Sequence, residues 1–515
     1  MNFKKYSKWL VERKPEIVPK HGIPMTRREL LAQGYISGSA FALMPSLAAL
    51  VSNKALGAEE CSAGAKTTKS MTPVLIIDAA GGWSIPGRNI MVGGQGGQDD
   101  LLQADQYASI GLTPDADPNQ SANAPHADFG LKMASVSRFH EGMMNATQES
   151  TRANIDGLYM AIRSNNDTGN NPSNPAKWLV KAGASGAVVN LIGTEDTDFG
   201  GNSLGPPESL YVADRPVRVT NPDSAIGLVL PGVLASLSNN NNAFIQKVFK
   251  VIKNMSQSQL TKFNGLSAKE QAQILCAYSD AEYQATSFDA NSLDPRGDEI
   301  FDNTVTSQTS GLPGIFNLAS GTEQRTGTLA KLLLDGYVGV AVQRIGGCDY
   351  HNNSLTSVTD KDREIGLAAG QFLEAAARKG KNAHVIIYTD GGTGASGNNN
   401  DATNFPGING PTADNGQRSG MFSLTYQAAG GRPELMIGRQ IGYFDTSGAI
   451  ANSNLISDNV IVGAEALVAN FIALHTPDGA DPAKYIGDEL NRVVGRNSFG
   501  NDLMKYVSYG RLKTG

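Results

Sequence analysis

Val74-Leu75-Ile76-Ile77-Asp78-Ala79-Ala80-Gly81-Gly82-Trp83-Ser84 is an unbroken apolar run that ends on a carboxylate and opens into glycines. A short continuous run of this kind reads as a strand buried on both faces, as a parallel sheet provides. The pattern returns at 338–344, which runs into Gly346-Gly347-Cys348-Asp349-Tyr350-His351, and at 383–388, which runs into Thr389-Asp390-Gly391-Gly392-Thr393. Stretches 157–162, 187–192 and 422–427 read as further strands. Helical periodicity separates them at 131–144, 175–182, 328–334 and 360–378, and helices at 461–475 and 484–494 close the chain. This alternation predicts an α/β fold with a mostly parallel central sheet and helices on both faces. A block of helices at 228–286 interrupts the order and reads as a helical insertion, while 287–322 and 398–417 read as loops.

Outward from the body, the N-terminus has a different character. Thr26-Arg27-Arg28-Glu29-Leu30-Leu31 precedes an uncharged, moderately apolar stretch, and Ala55-Leu56-Gly57-Ala58 follows Lys54. Charged, apolar and small-residue regions in that order make residues 1–58 a secretory signal. The arginine pair and mild hydrophobicity resemble twin-arginine (Tat) signals, which implies transient contact with the Tat export machinery and a periplasmic or extracellular destination. Twenty-two uncharged residues are also long enough for an uncleaved anchor. Residues 59–72 read as a polar linker and 73–515 as the working domain, with no second segment apolar enough to span a membrane.

The 515 residues carry a net charge of −6. The first 58 hold nine Lys/Arg against three Asp/Glu, so the remainder is near −12. A body this acidic, with no basic run interleaved with aromatics, argues against nucleic-acid binding. Three cysteines, Cys61, Cys276 and Cys348, include no Cys-x-x-Cys pair, so one disulfide of unspecified pairing is the most the exported chain can form.

In open parallel sheets, sites lie beyond the carboxyl ends of the strands. Asp78, Asp349, His351 and Asp390 all follow or end such strands, and Asp414 comes in the next loop. Asp349 and His351 flank one residue, and on an extended segment both side chains project to one side. A carboxylate and an imidazole so placed suit a divalent metal, with Asp390, Asp414 and Asp78 as further ligands; zinc, manganese and iron all take such donors. Ser84 and Thr393 are the hydroxyls such a metal could activate. The bland readings stand alongside: loop aspartates cap helices and make Asx-turns, as Asp360 and Asp401 look set to do. Cys348 lacks a His or Asn partner for nucleophilic work, and His126, His140, His384 and His475 show no ligand spacing.

Taken in order, these elements resemble an exported family of unknown function within the alkaline-phosphatase/sulfatase-like superfamily. In that family a first strand ends in Gly-Gly-x-Asp-Gly, where this chain has Gly81-Gly82-Trp83-Ser84-Ile85. A later strand leads to Gly-x-Asp-Thr-His, here Gly347-Cys348-Asp349-Tyr350-His351. A long helix and a strand ending in Ser/Thr-Glu-Phe-Gly-Arg-Thr follow, here Thr389-Asp390-Gly391-Gly392-Thr393, and Asp-His-Gly comes last, here Asp414-Asn415-Gly416. The resemblance covers roughly residues 73–450. It implies an alkaline-phosphatase-like sandwich, a divalent-metal site and a small-molecule or glycan ester of phosphate or sulfate as substrate. Ser84 and Asn415 stand where the family has Asp and His, and Arg163-Ser164-Asn165 where it has Arg-Ser-His. Those changes favour oxygen donors, which brings in calcium or magnesium beside the transition metals. Two functions remain open: a metal-dependent phosphate or sulfate ester hydrolase, and a non-catalytic binding or structural protein on the same fold.

Overall fold

A computed structural model describes residues 71–164, 171–202, 204–229, 289–305, 311–319, 321–351, 354–397 and 400–513, together with Lys247 and Lys250. The signal segment, Cys61, Cys276 and nearly all of the helical insertion expected at 228–286 lie outside the described residues. The body that follows is one compact unit, distinct from a second unit that takes in 230–287.

Ten strands are named in chain order: β1 Val74–Ala79, β2 Ile155–Met160, β3 Val189–Gly193, β4 Val217–Arg218, β5 Val338–Ile345, β6 Ala383–Thr389, β7 Thr393–Ser396, β8 Gly410–Asp414, β9 Met421–Tyr426 and β10 Gln440–Ile441. Eight of them form one sheet in the order β10-β2-β9-β6-β1-β5-β3-β4. β1 lies between β5 and β6, parallel to both, with Val74 opposite Val340 and His384. β9 runs antiparallel to its neighbours β6 and β2, so the sheet is mixed but mostly parallel. β7 and β8 make a separate antiparallel pair.

Strand alternation explains how both faces are covered. Val74 and Ile76 of β1, Val340 and Val342 of β5, and Ile386 of β6 share one apolar cluster with the helices α4 Ala176–Ala182, α8 Val460–Ala473 and α9 Pro482–Val494. The intervening Leu75, Ile77, Val385 and Ile387 are equally buried but outside that cluster. They face the opposite layer, where α6 Gly321–Leu334 and α7 Leu355–Arg378 pack on β1, β5 and β6. Each such Val, Leu or Ile contributes about 1.5–3 kcal/mol by leaving water. Helix α2 Arg138–Ala146 lies directly on α7. A Cβ at Gly142 would overlap backbone of α7, and one at Gly366 would overlap the Phe139 carbonyl, so glycine permits backbone-to-backbone contact. The remaining short helices are α1 Ala104–Ser109, α3 Glu149–Arg152 and α5 Pro222–Ile226.

Three sequence expectations are corrected. Residues 131–137 are not helical: Met133 bridges to both Ile90 and His126, and the helix waits for its N-cap Ser137. The 398–417 stretch contains β8, a strand too polar to show an apolar pattern. α7 begins at Leu355 because the Ser354 side chain accepts from the Ser357 N–H, so Asp360 lies inside the helix and pairs with Arg363 at 3.1 Å instead of capping. Asp401 does make the local turn, with Asn404 donating to its carboxylate at 3.1 and 2.7 Å. Among the described residues no helix is long and apolar enough to cross a membrane.

Candidate metal centre

The carboxyl ends of β1, β5 and β6 are neighbours, so the loops that leave them share one edge of the sheet. Gly81 makes this crowding possible. It has φ +120°, and a Cβ there would lie 2.6 Å from the Asp349 Cα. Ala80 N–H donates to Ile345 O at 3.0 Å and Cys348 N–H to Ala80 O at 3.2 Å, zipping the first loop to the one that carries Asp349. Cys348 is free and buried, its thiol pushed up by burial and donating to Ile345 O, which suits packing rather than nucleophilic work.

Asp349, His351 and Asp414 come together at this edge, each offering a donor atom within 4.8 Å of the others. The His351 Nδ1 hydrogen-bonds the Asp349 Oδ1 and lies 3.2 Å from the Asp414 Oδ1. One imidazole nitrogen therefore faces two carboxylates. A divalent cation at that point would exchange one shared proton for three protein donors, and two carboxylates would balance its charge. The side chains are a quarter to half exposed, which leaves room for water or a substrate oxygen. Thr393 is the register partner of Asp414 across the β7–β8 pair, and its hydroxyl donates to Gly82 O at 3.4 Å.

The other expected ligands have different surroundings. Asp390 is fully buried; its Oδ1 accepts from Gly81 N at 2.7 Å and its Oδ2 from Asn202 Nδ2 at 3.3 Å. Asp78 is also fully buried, and its Oδ2 accepts from the Asn202 N–H. Asn202 thus bridges two buried carboxylates, whose charges add to burial in pushing the Tyr388 phenol up. Ser164 donates to the Asp390 carbonyl at 2.8 Å, fixing the loop from the far side. The Asn415 side chain accepts from Gln417 N at 3.1 Å, capping the turn Gly416–Arg418. Asn165 lies outside the described residues. Ser84 is buried beside Trp83, with its carbonyl taking a bond from Asn89 Nδ2 at 3.0 Å.

Two arrangements escaped the sequence. Asp362, on α7, is a buried carboxylate that accepts from Trp83 Nε1 at 2.6 Å, Arg88 Nη2 at 2.7 Å, Asn89 Nδ2 at 2.8 Å and Tyr350 OH at 3.0 Å. It ties the loop after β1 and the Asp349–His351 loop to one helix. His126, Asp128 and His140 also gather, from a loop and a helix whose spacing gives no hint of contact. Separately, Gly201-Asn202-Ser203-Leu204-Gly205 has nucleophile-elbow spacing but starts well beyond the end of β3 and precedes only the short 3-10 turn Pro207–Tyr211, so it is not a tight strand-to-helix elbow, and Ser203 is outside the described residues.

Among the described residues two groups could therefore hold a metal ion, Asp349/His351/Asp414 and His126/Asp128/His140. No family model, no curated protein and no solved structure matches the chain.

Proposed function

We propose that this chain is an exported, alkaline-phosphatase/sulfatase-like protein that binds a divalent cation at Asp349, His351 and Asp414 and acts on phosphate or sulfate esters. The convergence of those three donors on one point carries the reading. A cation bound there would polarise an ester oxygen and lower the pKa of a coordinated water. Asp349 and Asp414 would hold the ion by charge, and His351 would set the preference toward zinc, manganese or iron over calcium. Of the two expected hydroxyls, Thr393 stands opposite Asp414 in the β7–β8 register but is buried with its hydroxyl on Gly82 O, and Ser84 is buried beside Trp83. Asp390 supports the centre through Gly81 N–H, which packs under Asp349.

A second reading has its own observation. Asp78 and Asp390 are both engaged by backbone and amide donors, and Asn415 spends its carbonyl on a cap. That favours a non-catalytic exported protein in which one cation is structural. The two readings separate in one experiment: elemental analysis of the purified protein and of Asp349→Ala/His351→Ala, followed by assay with p-nitrophenyl phosphate and p-nitrophenyl sulfate. About one equivalent of metal, lost in the variant along with ester hydrolysis, supports the hydrolase. Metal without turnover leaves the structural reading. A metal content that is unchanged in the variant defeats both.

A further inference from the structure

The second gathering of donors lies at the opposite edge of the sheet. Arg432 donates to the Ala127 and Asp128 carbonyls at 3.1 and 2.9 Å and to Ile155 O at 2.8 Å, which ties the 126–128 segment to the amino end of β2. β2 runs antiparallel to β9 and β9 antiparallel to β6, so the start of β2 is remote from the strand ends that carry Asp349 and Asp390.

His126 is held in a bridge to Met133, with N–H···O bonds of 2.9 Å in both directions. His140 stands on the first turn of α2, its N–H bonded to the cap Ser137 at 3.0 Å. The two imidazoles stack with centroids 4.1 Å apart and planes at 2°. The Phe129 ring edge abuts His140 at 5.8 Å and shields one side. The His140 Nε2 lies 2.9 Å from Asp128 Oδ2, and His126 Nε2 lies 3.2 Å from the Ser135 carbonyl. If Nε2 of His126 donates to that carbonyl, its Nδ1 presents a lone pair, the arrangement that orients metal-ligating imidazoles.

We propose that His126, Asp128 and His140 form a second, structural site for a transition-metal ion of the zinc type. All three donors fall within 4.8 Å of one another. Ligands on a tetrahedral zinc stand about 3.4 Å apart, and the two rings must turn out of their parallel stack to aim both lone pairs at one ion. Two imidazoles and one carboxylate select zinc, nickel or copper over calcium and magnesium. The Asp128 side chain is 38% exposed, giving the ion an entry path and a water as fourth ligand. Binding joins the 126–128 segment to α2, and so to α7 beneath it. The site shares no residue with the first centre and stands or falls independently of the proposed ester hydrolysis.

The test is zinc titration by calorimetry of Asp349→Ala/His351→Ala, which removes two of the three donors of the first centre. One equivalent of Zn2+ should remain and raise Tm by about 3 °C at 100 times Kd. Adding His126→Gln should abolish that equivalent and the shift; Asp128→Asn, on the exposed side of the cluster, is the companion variant should His126→Gln perturb folding. Absence of a zinc equivalent in the first variant overturns the proposal, and so does an equivalent that survives both His126→Gln and Asp128→Asn.

Discussion

Removing the Asp362 carboxylate should loosen both loops that build the candidate centre. Arg88 and Asp362 are 2% and 1% exposed, so Asp362→Ala leaves a guanidinium buried without its counter-charge. Breaking a buried pair from one side costs about 3–5 kcal/mol. Trp83 Nε1 loses the acceptor at 2.6 Å, and an unsatisfied buried donor adds about 1–3 kcal/mol. Tyr350 and Asn89 keep second partners, the Val358 and Ser84 carbonyls, and add little. The sum is roughly 4–8 kcal/mol, much of the 5–15 kcal/mol that a folded domain ordinarily has. Urea unfolding followed by circular dichroism reads it directly. The charge-free pair Arg88→Met/Asp362→Leu should recover most of the loss, because the desolvation of two charges disappears with them. An Asp362→Ala protein within 1 kcal/mol of the parent on that urea scale, or a double variant no better than the single, would refute the reasoning.

Two further outcomes follow from particular residues. His384 is fully buried, and burial depresses its pKa to about 3, so the native state keeps it neutral while the unfolded chain protonates below its ordinary value of 6.5. Its contribution is therefore complete above pH 6.5 and falls by about 1.4 kcal/mol per pH unit as the pH drops from there toward 3; a His384→Asn protein should lack that slope between pH 6.5 and 4.5 in urea unfolding, and an unchanged slope would contradict it. Gly81→Ala forces a side chain against the Asp349 backbone at φ +120°, so it should lower affinity for Zn2+ at the first centre by at least tenfold in calorimetry while leaving the second equivalent intact.

How far the sequence disclosed this depended on the kind of signal. β1, β5 and β6 were legible because they are unbroken apolar runs, and their ends lead to the edge where Asp349, His351 and Asp414 gather. β8 was not, since Gly410–Asp414 is half exposed and stabilised only by pairing with β7. The 131–137 stretch misled because Leu131 and Ala134, both buried in an extended segment, stand three residues apart, an interval that also fits a helix. At the site, Asp349 and His351 were recoverable from their spacing, and Asp414 from the order of motifs in the family resemblance. Nothing local marks Asp362 or His140 as partners of distant loops. Both stand on helices whose periodicity accounts for them as ordinary members, and only the packing of α2 and α7 against those loops reveals their contacts.

The most direct measurement of the metal centre is an anomalous difference map at the zinc edge from crystals soaked in Zn2+. A peak should stand between Asp349, His351 and Asp414, at about 2.0–2.2 Å from each donor. A map with no peak there, whatever appears at Asp78 and Asp390 or elsewhere, would contradict the assignment and remove the basis for ester hydrolysis by this chain.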